Sequence, residues 1–393
     1  MNWNRMLSEK IVSMPRSGIR EFFDLVTGSK DIISLGVGEP DFVTPWNIRE
    51  AAIFSLEKGH TTYTSNYGLE SLRREIAKYV GKFFRIDYDP LHEILPTVGV
   101  SEAIDLALRC LLNPGDEVLY HEPCYVSYAP TVLMAGGVAT PVETSIDDLF
   151  ALNPAKLEAA ITPRTKVLML NFPTNPTGSI APLETLRAIA DICIRHDLFV
   201  LTDEIYSELR YDGIEHTSIA ALPGMKERCL LLHGFSKAFA MTGFRLGYAC
   251  GPRELIEQMV KIHSYTMICP TITSQEAAIE ALRHGTPEML EMRDSYHMRR
   301  DYIVKRFNDM GMDCHLPGGA FYTFPSVKRF GLSSRDFSLR LIREQKVAGV
   351  PGTAFGACGE GYLRCCYATA FNLLEKACDK MECFCEGLLR EQA

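Results

Sequence analysis

The 393-residue chain lacks the features that mark several large classes of protein. No apolar run approaches the roughly 20 residues of a membrane-spanning helix, and polar residues interrupt residues 1–16 too often for a signal peptide. The net charge of −8 comes without a basic stripe, which argues against a nucleic-acid surface. We therefore expect a cytoplasmic protein that has neither a membrane nor a nucleic acid as its partner.

Disulfide and metal patterns are missing too, although the chain has 13 cysteines. An odd number of cysteines in a chain of this size, without an export signal, favours reduced thiols over a disulfide framework. No pair of C-x-x-C motifs supplies the four ligands of a zinc site. We expect no metal site and interpret the cysteines as small, buried hydrophobic residues.

An alternation of strand and helix patterns does run from about residue 90 to residue 250. Helical segments such as Ser101–Leu112 and Pro182–His196 separate short apolar runs. This rhythm predicts an α/β fold in which helices flank a mostly parallel sheet. The runs interpreted as strands are Ile94–Val98, Glu117–His121, Lys166–Leu170, Leu198–Thr202, Leu230–His233 and Arg245–Cys250.

The C-terminal third has a different character, and the chain is too long for one typical core. Met289–Met310 is a long, charged helical stretch, Pro317–Pro325 is a turn that leads into a short strand, and Arg335–Gln345 has a helical pattern. We predict a large domain over residues 46–284. Residues 1–45 and 285–393 then form a smaller α+β domain.

A lysine segment gives the first indication of function. Lys237 follows the apolar run Cys229–Leu232, which places it past a strand end, where open α/β sheets bind their ligands. Ser236 and Arg245 flank it, and either residue could hold an anionic group. The run from Ser236 to Tyr248, SKAFAMTGFRLGY, resembles the Schiff-base lysine segment of the class I/II aminotransferases. These are pyridoxal 5'-phosphate (PLP) enzymes of fold type I, in the aspartate aminotransferase superfamily, and the MTGFR variant is common in their prokaryotic branch.

Asp203 ends the predicted strand Leu198–Thr202, and on its own it could be a helix N-cap. The segment Asp203-Glu204-Ile205-Tyr206 resembles the D-E-x-Y segment of the family. The resemblance implies that Asp203 pairs with the protonated pyridine nitrogen, which makes the ring an electron sink. It also implies that Tyr206 donates a hydrogen bond to the phenolic oxygen of the cofactor.

Two further segments add to the implied cofactor site. Asn171–Gly178 would be a rigid turn from its prolines and glycine alone, but it also matches the N-x-P-x-N-P-T-G loop of the family. Its Asn175 then donates to the same phenolic oxygen and belongs with the substrate-binding residues. Tyr125 could be core packing, and the resemblance gives it the role of stacking on the pyridine ring.

The phosphate site is predicted at a helix start. Free N–H groups at a helix N-terminus attract anions, so we expect Val100, Ser101 and Glu102 to bind the phosphate together with Ser236 and Arg245; an N-cap role for Ser101 remains open. Tyr63 matches a tyrosine that reaches the phosphate of a neighbouring subunit. The resemblance therefore implies a homodimer.

Substrate binding is assigned to both ends of the chain. Arg364, in Gly359–Arg364, matches the arginine that binds the α-carboxylate of the substrate, for which a guanidinium offers a bidentate fork. Gly38 matches the backbone position that lies against the same carboxylate.

The resemblance implies an aminotransferase of amino acid metabolism. It would move an amino group from an L-amino acid to a 2-oxo acid by a ping-pong mechanism through a Lys237 Schiff base. A PLP-dependent carbon–sulfur β-lyase is the alternative on the same scaffold. A regulator that retains a PLP domain would need an added DNA-binding module, for which the chain has no room.

The substrate preference is predicted from a serine, Ser101, at a position where some related enzymes have a lysine. Some dicarboxylate-preferring relatives carry a lysine where Ser101 stands, near the distal carboxylate of the substrate. Ser101 cannot supply that charge, whereas Ile19 and Tyr67 could offer apolar contacts. We therefore expect an amino donor with an apolar or aromatic side chain, and 2-oxoglutarate as the acceptor.

Overall fold

The computed structural model describes residues 1, 3–14 and 31–392. Its strands are β1 (Ile33–Ser34), β2 (Ile94–Thr97), β3 (Glu117–Glu122), β4 (Val138–Glu143), β5 (Thr165–Asn171), β6 (Phe199–Asp203), β7 (Cys229–Gly234), β8 (Gly247–Cys250), β9 (Tyr322–Thr323), β10 (Val347–Ala348), β11 (Val350–Pro351) and β12 (Leu363–Cys366). Its α-helices are Trp3–Met6, Glu9–Val12, Trp46–Glu57, Glu70–Phe83, Val100–Leu111, Tyr128–Ala135, Pro154–Ala159, Leu183–Arg195, Arg253–Thr266, Ile272–His284, Thr286–Asp309, Ser334–Gln345 and Phe371–Gln392.

The central sheet has seven strands in the order β2-β8-β7-β6-β5-β3-β4. The pairs β3–β4, β3–β5, β5–β6 and β6–β7 are parallel, whereas β8 runs antiparallel to both β7 and β2. The predicted mostly parallel α/β sheet is therefore confirmed. The carboxyl ends of β5, β6 and β7 meet at one edge, as parallel pairing requires.

Both faces of this sheet are buried, and alternate residues of one strand enter different cores. In β5, Leu168 and Leu170 join a core with the helices Leu183–Arg195 and Ile272–His284. Val167 and Met169 of the same strand join a second core with the helices Val100–Leu111 and Arg253–Thr266. A strand buried on both sides has a continuous apolar sequence rather than an alternating one, which is why β5 to β7 were recognisable.

One edge strand escaped the prediction, and one predicted strand is shorter than expected. β4, with the sequence VATPVE, is exposed or half-buried along most of its length and contains a proline, so it lacks the signal of a buried strand. The predicted strand Arg245–Cys250 begins only at Gly247, because a short helical turn at Thr242–Phe244 precedes it and Arg245 adopts a left-handed conformation with φ 50°.

The C-terminal region forms a smaller three-stranded antiparallel sheet in the order β11-β12-β9. The N-terminal strand β1 pairs with β10 of this region, and Cys366 N donates to Leu35 O. Near the start of the chain, by contrast, Lys10 Nζ donates to Met134 O over 2.7 Å, on the helix Tyr128–Ala135. Residues 33–35 therefore pack with the C-terminal region, while Lys10 contacts the part built around the central sheet.

All 13 cysteines are free thiols, and nine of them are buried. Within residues 3–14 and 31–392, no group of three histidine, cysteine or acidic side chains is placed to hold a metal ion. No helix in these ranges combines the length and the apolar character needed to cross a bilayer.

Candidate active site

A cavity of about 520 Å³ lies at the carboxyl edge of the central sheet. Its size is that of a small-molecule site. The edge itself supplies residues from β5, β6 and the loop after β7, and the C-terminal region closes the opposite side. The predicted site residues that line it are Gly38, Val100, Ser101, Tyr125, Asn175, Asp203, Tyr206, Ser236, Lys237, Arg245 and Arg364.

Lys237 lies in the loop between β7 and β8, two adjacent antiparallel strands. Its Nζ donates to Gly38 O over 2.7 Å and lies 5.7 Å from the centre of the Phe321 ring. Burial lowers the pKa of this amine from 10.5 to about 8. About a tenth of Lys237 is therefore uncharged at pH 7, far more than for an ordinary lysine, and the neutral amine is the form that a nucleophile or a base requires.

Asp203 is the last residue of β6, and its side chain is buried. Tyr128 Oη donates to Oδ2 over 2.7 Å, and Ile205 N donates to Oδ1 over 3.3 Å. A turn rather than a helix follows, so Asp203 is not a helix N-cap. Burial raises the pKa of this carboxyl from 3.8 to about 6, although the hydrogen bond from Tyr128 opposes the shift.

The loop Asn171–Gly178 is fixed by its own hydrogen bonds. Asn171 Oδ1 accepts from Asn175 N over 3.0 Å, and Asn171 Nδ2 donates to Asp203 O over 2.8 Å. The peptide bonds that precede Pro173 and Pro176 are cis. The loop therefore attaches Asn175 to the strand end that carries Asp203.

Arg364, in β12, brings a guanidinium to the opposite wall. The side chain is buried between the rings of Tyr322 and Phe355, each 4.7 Å away. Its Nη1 donates to Asn175 Oδ1 over 3.1 Å, and Nη2 donates to Gly36 O. The guanidinium is thus held in one orientation, as bidentate binding of a carboxylate requires.

Tyr322 is a cavity residue that the sequence did not single out. Its hydroxyl lies 2.9 Å from that of Tyr206, and its ring stacks on Arg364. A Cβ atom at Gly38 would lie 2.5 Å from the Tyr322 hydroxyl, so only glycine fits there without a shift. Tyr322 therefore connects three of the predicted site residues.

The predicted phosphate site is at the start of the helix Val100–Leu111. The N-cap is Gly99 rather than Ser101, and no side chain caps this helix. Gly99 has φ +75°, and a Cβ atom on it would lie 2.7 Å from Arg245 Nη2. The backbone and Arg245 thus approach closely around a helix N-terminus, which is a general anion site.

Three predicted residues lie elsewhere. Glu102 does not line the cavity, and its carboxylate accepts from Val98 N over 2.5 Å and bonds His263 Nδ1 over 2.7 Å. Tyr63 is 79% exposed and does not line the cavity of this chain. Tyr67 packs beside Arg73, whose guanidinium lies 5.6 Å from its ring. The predicted Ile19 contact lies outside the described residues.

Tyr128 was also missed, although it stands three residues after Tyr125. The two rings meet edge to face with centroids 5.7 Å apart. A turn joins the two residues, since Tyr128 N donates to Tyr125 O, and their spacing was the available signal. Its bond to Asp203 could not be derived from the sequence, because the two residues are 75 positions apart.

Comparison with known proteins agrees with this architecture. The family model described as aminotransferase class I and II matches residues 30–381. An aspartate aminotransferase of Pyrococcus abyssi is 46% identical over 96% of this chain and 97% of its own length. An aromatic-amino-acid aminotransferase of Thermococcus litoralis has the same identity and the same coverage. The crystal structure of an aromatic aminotransferase from Pyrococcus horikoshii OT3 superposes with a TM-score of 0.90 at 44% identity, covering 94% of this chain and 99% of that one.

Proposed function

The chain belongs to the aminotransferase class I and II family, and from this premise we propose that it transfers the amino group of an apolar or aromatic L-amino acid to 2-oxoglutarate. That the protein is a PLP-dependent transaminase of fold type I follows from the family itself. The choice of substrates, the roles of individual residues and the assembly are the proposal. The main observation that supports the proposed reaction is that Lys237, Asp203 and Arg364 all line one cavity.

The residues present fit PLP. Asp203 is a buried carboxylate that forms no ion pair with a described side chain, and a buried charge is stabilised by a partner of opposite sign. A protonated pyridine nitrogen is such a partner. Lys237 supplies an amine of lowered pKa, and the helix start at Val100 with Arg245 supplies a phosphate site. When bound, PLP supplies the electron sink for the carbanion at the substrate Cα.

In the proposed reaction the amine of Lys237 would hold the cofactor in the resting enzyme and, once released, would move the proton from the substrate Cα. Its pKa of about 8 suits that task near neutral pH. Arg364 and the Gly38 backbone orient the α-carboxylate, while Asn175 and Tyr206 donate to the phenolic oxygen. Each group then has one position relative to the reacting carbon, which is the main requirement for the rate.

The charges of the cavity support the choice of donor. Among the described residues that line it, the cations are Lys237, Arg245 and Arg364, and each already has a proposed role. A distal carboxylate would meet hydroxyl groups, such as those of Ser101 and Ser127, rather than a cation. Val37 and Val126 add apolar surface to the same cavity. We therefore expect 2-oxoglutarate to bind as acceptor through hydrogen bonds, without a dedicated ion pair.

A homodimer is the proposed assembly. The helix Trp46–Glu57 presents Trp46, Ile53 and Phe54 to solvent with 58%, 47% and 55% of their surface exposed, and Tyr63 follows at 79%. Large apolar side chains that share one exposed helix are typical of an interface. A second copy on this surface would bring its Tyr63 to the phosphate. Sedimentation should then give about twice the 44.0 kDa chain mass.

The division into a large domain of residues 46–284 and a small domain of residues 1–45 and 285–393 also stays part of the proposal. The pairing of β1 with β10 supports it. We also infer a cytoplasmic location, which the 13 free thiols support because such thiols persist in a reducing compartment.

A half-reaction screen tests the function. Each common L-amino acid is mixed with the PLP-loaded enzyme, and the change in cofactor absorbance is followed together with the 2-oxo acid released. We expect fast reactions with aromatic and large apolar amino acids. Reaction with aspartate and glutamate alone would overturn the substrate assignment, and release of pyruvate and ammonia from cysteine conjugates would indicate the β-lyase.

A further inference from the structure

Asp203 accepts a hydrogen bond from the side chain of Tyr128, a residue that has no part in the proposed reaction. Tyr128 Oη lies 2.7 Å from Oδ2, and Tyr128 is only 1% exposed. Within the described part of the chain this hydroxyl makes no other hydrogen bond, and its burial keeps bulk water away. The Tyr128 proton is therefore committed to the carboxylate, because an ionised carboxylate only accepts.

The position of Tyr128 is fixed from two sides. It is the first residue of the helix Tyr128–Ala135, and its backbone N–H donates to Tyr125 O over 3.1 Å. Its ring meets that of Tyr125 edge to face, with an interplanar angle of 85°. Tyr125 itself lines the cavity, whereas Tyr128 lies behind it. The helix thus presents one tyrosine to the cofactor site and places the next against Asp203.

Burial and hydrogen bonding have opposite effects on this carboxylate. Burial favours its neutral form, while the hydrogen bond from Tyr128 favours the charged form. The other titratable groups that influence Asp203 are His233, which favours the charged form, Glu204, which opposes it, and the nearby Tyr206. Of these four titratable residues, only Tyr128 donates a hydrogen bond to the Asp203 carboxylate.

We propose that Tyr128 is a positioning residue that keeps Asp203 ionised and oriented, so that the proton of the Asp203–pyridine pair stays on the cofactor nitrogen. This inference rests on the proposed role of Asp203. Without the hydroxyl, the proton moves toward the carboxyl oxygen, and the pyridine ring becomes a weaker electron sink. Tyr128 touches neither substrate nor cofactor, and its effect passes through Asp203.

The experiment uses the intact enzyme loaded with PLP that carries ¹⁵N in the pyridine ring. The ¹⁵N chemical shift reports directly where the proton lies, independently of turnover. Tyr128→Phe is compared with Tyr248→Phe, which removes another buried hydroxyl, one without a hydrogen-bond partner. We expect Tyr128→Phe to move the resonance toward that of unprotonated pyridine, with about a tenfold change in the proton-transfer ratio. Tyr248→Phe should leave it in place.

A double-mutant comparison separates this inference from the proposed function. Asp203→Asn should displace the resonance further than Tyr128→Phe does, and adding Tyr128→Phe to it should change nothing more. If Asp203→Asn moves the resonance and Tyr128→Phe does not, the role of Tyr128 is overturned while that of Asp203 stands. If Asp203→Asn leaves the resonance in place, the proposed role of Asp203 fails, and that of Tyr128 with it.

A second variant covers the case in which Tyr128→Phe does not retain the cofactor. Incorporation of 4-aminophenylalanine at position 128 keeps the ring and replaces the hydroxyl by a weaker hydrogen-bond donor. The resonance should then move in the same direction as in Tyr128→Phe, toward unprotonated pyridine, but by less. An unchanged resonance in this variant would also overturn the proposal.

Discussion

The inner wall of the cavity and its outer rim are built in different ways. The inner wall consists of Asn171, Asn175, Asp203 and Arg364, which are between 1% and 6% exposed and hydrogen-bonded to one another or to the adjoining backbone. The outer rim consists of Ser101 and Arg245, which are both exposed, and we propose that Tyr63 of a second copy completes it. One chain therefore completes the half of the site where we propose that the chemistry occurs. The half that we assign to the phosphate and the distal part of the substrate is left open to solvent.

This difference predicts that substitutions at the inner wall mainly change catalysis, while those at the rim mainly change binding and selectivity.

Lys237 extends from its loop toward the inner wall and gives the strongest test. Lys237→Ala removes the amine that we propose both holds the cofactor and acts as the base. Turnover should fall by about 10⁴-fold or more, and borohydride should no longer attach the cofactor to this position. Lys305→Ala, on an exposed helix surface, is the matched control. Near wild-type transamination by Lys237→Ala would remove Lys237 from the mechanism.

Asp203→Asn should give the next largest effect. The amide is close to the carboxyl in size but carries no charge to keep the pyridine nitrogen protonated. We expect kcat to fall by about 10²–10³-fold with the cofactor still bound, and Asp203→Glu to lose less. Steady-state assays on cofactor-saturated enzyme measure both. Equal activity of wild type and Asp203→Asn would mean that Asp203 has only a structural role.

The same substitution should have the opposite effect on the stability of the cofactor-free protein. The pKa of Asp203 is raised to about 6 on folding, so the folded state binds more protons between pH 3.8 and about pH 6. Its contribution to the free energy of unfolding therefore falls as pH rises through this window. At pH 8, Asp203→Asn should be more stable than wild type by about 1–3 kcal/mol, and the difference should vanish below pH 3.8. Urea unfolding at both pH values measures it, and a wild type that is the more stable at pH 8 would contradict the prediction.

At the rim, Ser101→Lys should change selectivity more than rate. The added ammonium offers a partner to a distal carboxylate, so the preference for aspartate over tyrosine in kcat/KM should rise by about tenfold. Ser101→Met, of similar length and without charge, is the control. If both variants shift the preference equally, the cause is volume rather than charge.

Tyr63→Phe should have the smallest effect. It removes one hydroxyl that we propose donates to the phosphate of the second subunit, so PLP should bind a few-fold to tenfold more weakly, with little change in kcat at saturation. Titration of cofactor-free enzyme with PLP measures this affinity. Tyr265→Phe alters another exposed tyrosine, 91% accessible, and should bind PLP like wild type. Unchanged affinity in Tyr63→Phe would contradict the cross-subunit contact.

The difference between wall and rim also explains what the sequence could predict. β5, β6 and β7 are buried on both faces and therefore have continuous apolar sequences, and the residues at or just past their ends were found with them. β4 escaped because an exposed edge strand has no such signal. The sequence pattern is informative where burial is complete.

Side-chain direction was not predictable in the same way. Glu102 was placed correctly at a helix start, but its carboxylate turns to Val98 N and His263, a histidine 161 positions away. Tyr128 and Tyr322 were missed because their partners, Asp203 and Tyr206, are brought to them only by the folded chain. Local sequence determines which residues end a strand, whereas tertiary packing decides which atoms meet there.

The loop that carries Lys237 should tolerate insertions less well than the other loops at the cavity. It joins two strands that are paired in register, Gly234 opposite Gly247, so both of its ends are fixed within one sheet. A Cβ atom at Gly247 would lie 2.6 Å from Val100 N, which leaves no room for the loop to slide past the helix start. Ser236, Lys237 and Arg245 all lie between these two glycines. A residue gained or lost here would displace some of the three relative to the others, so in evolution or engineering this segment can vary in residue type but hardly in length.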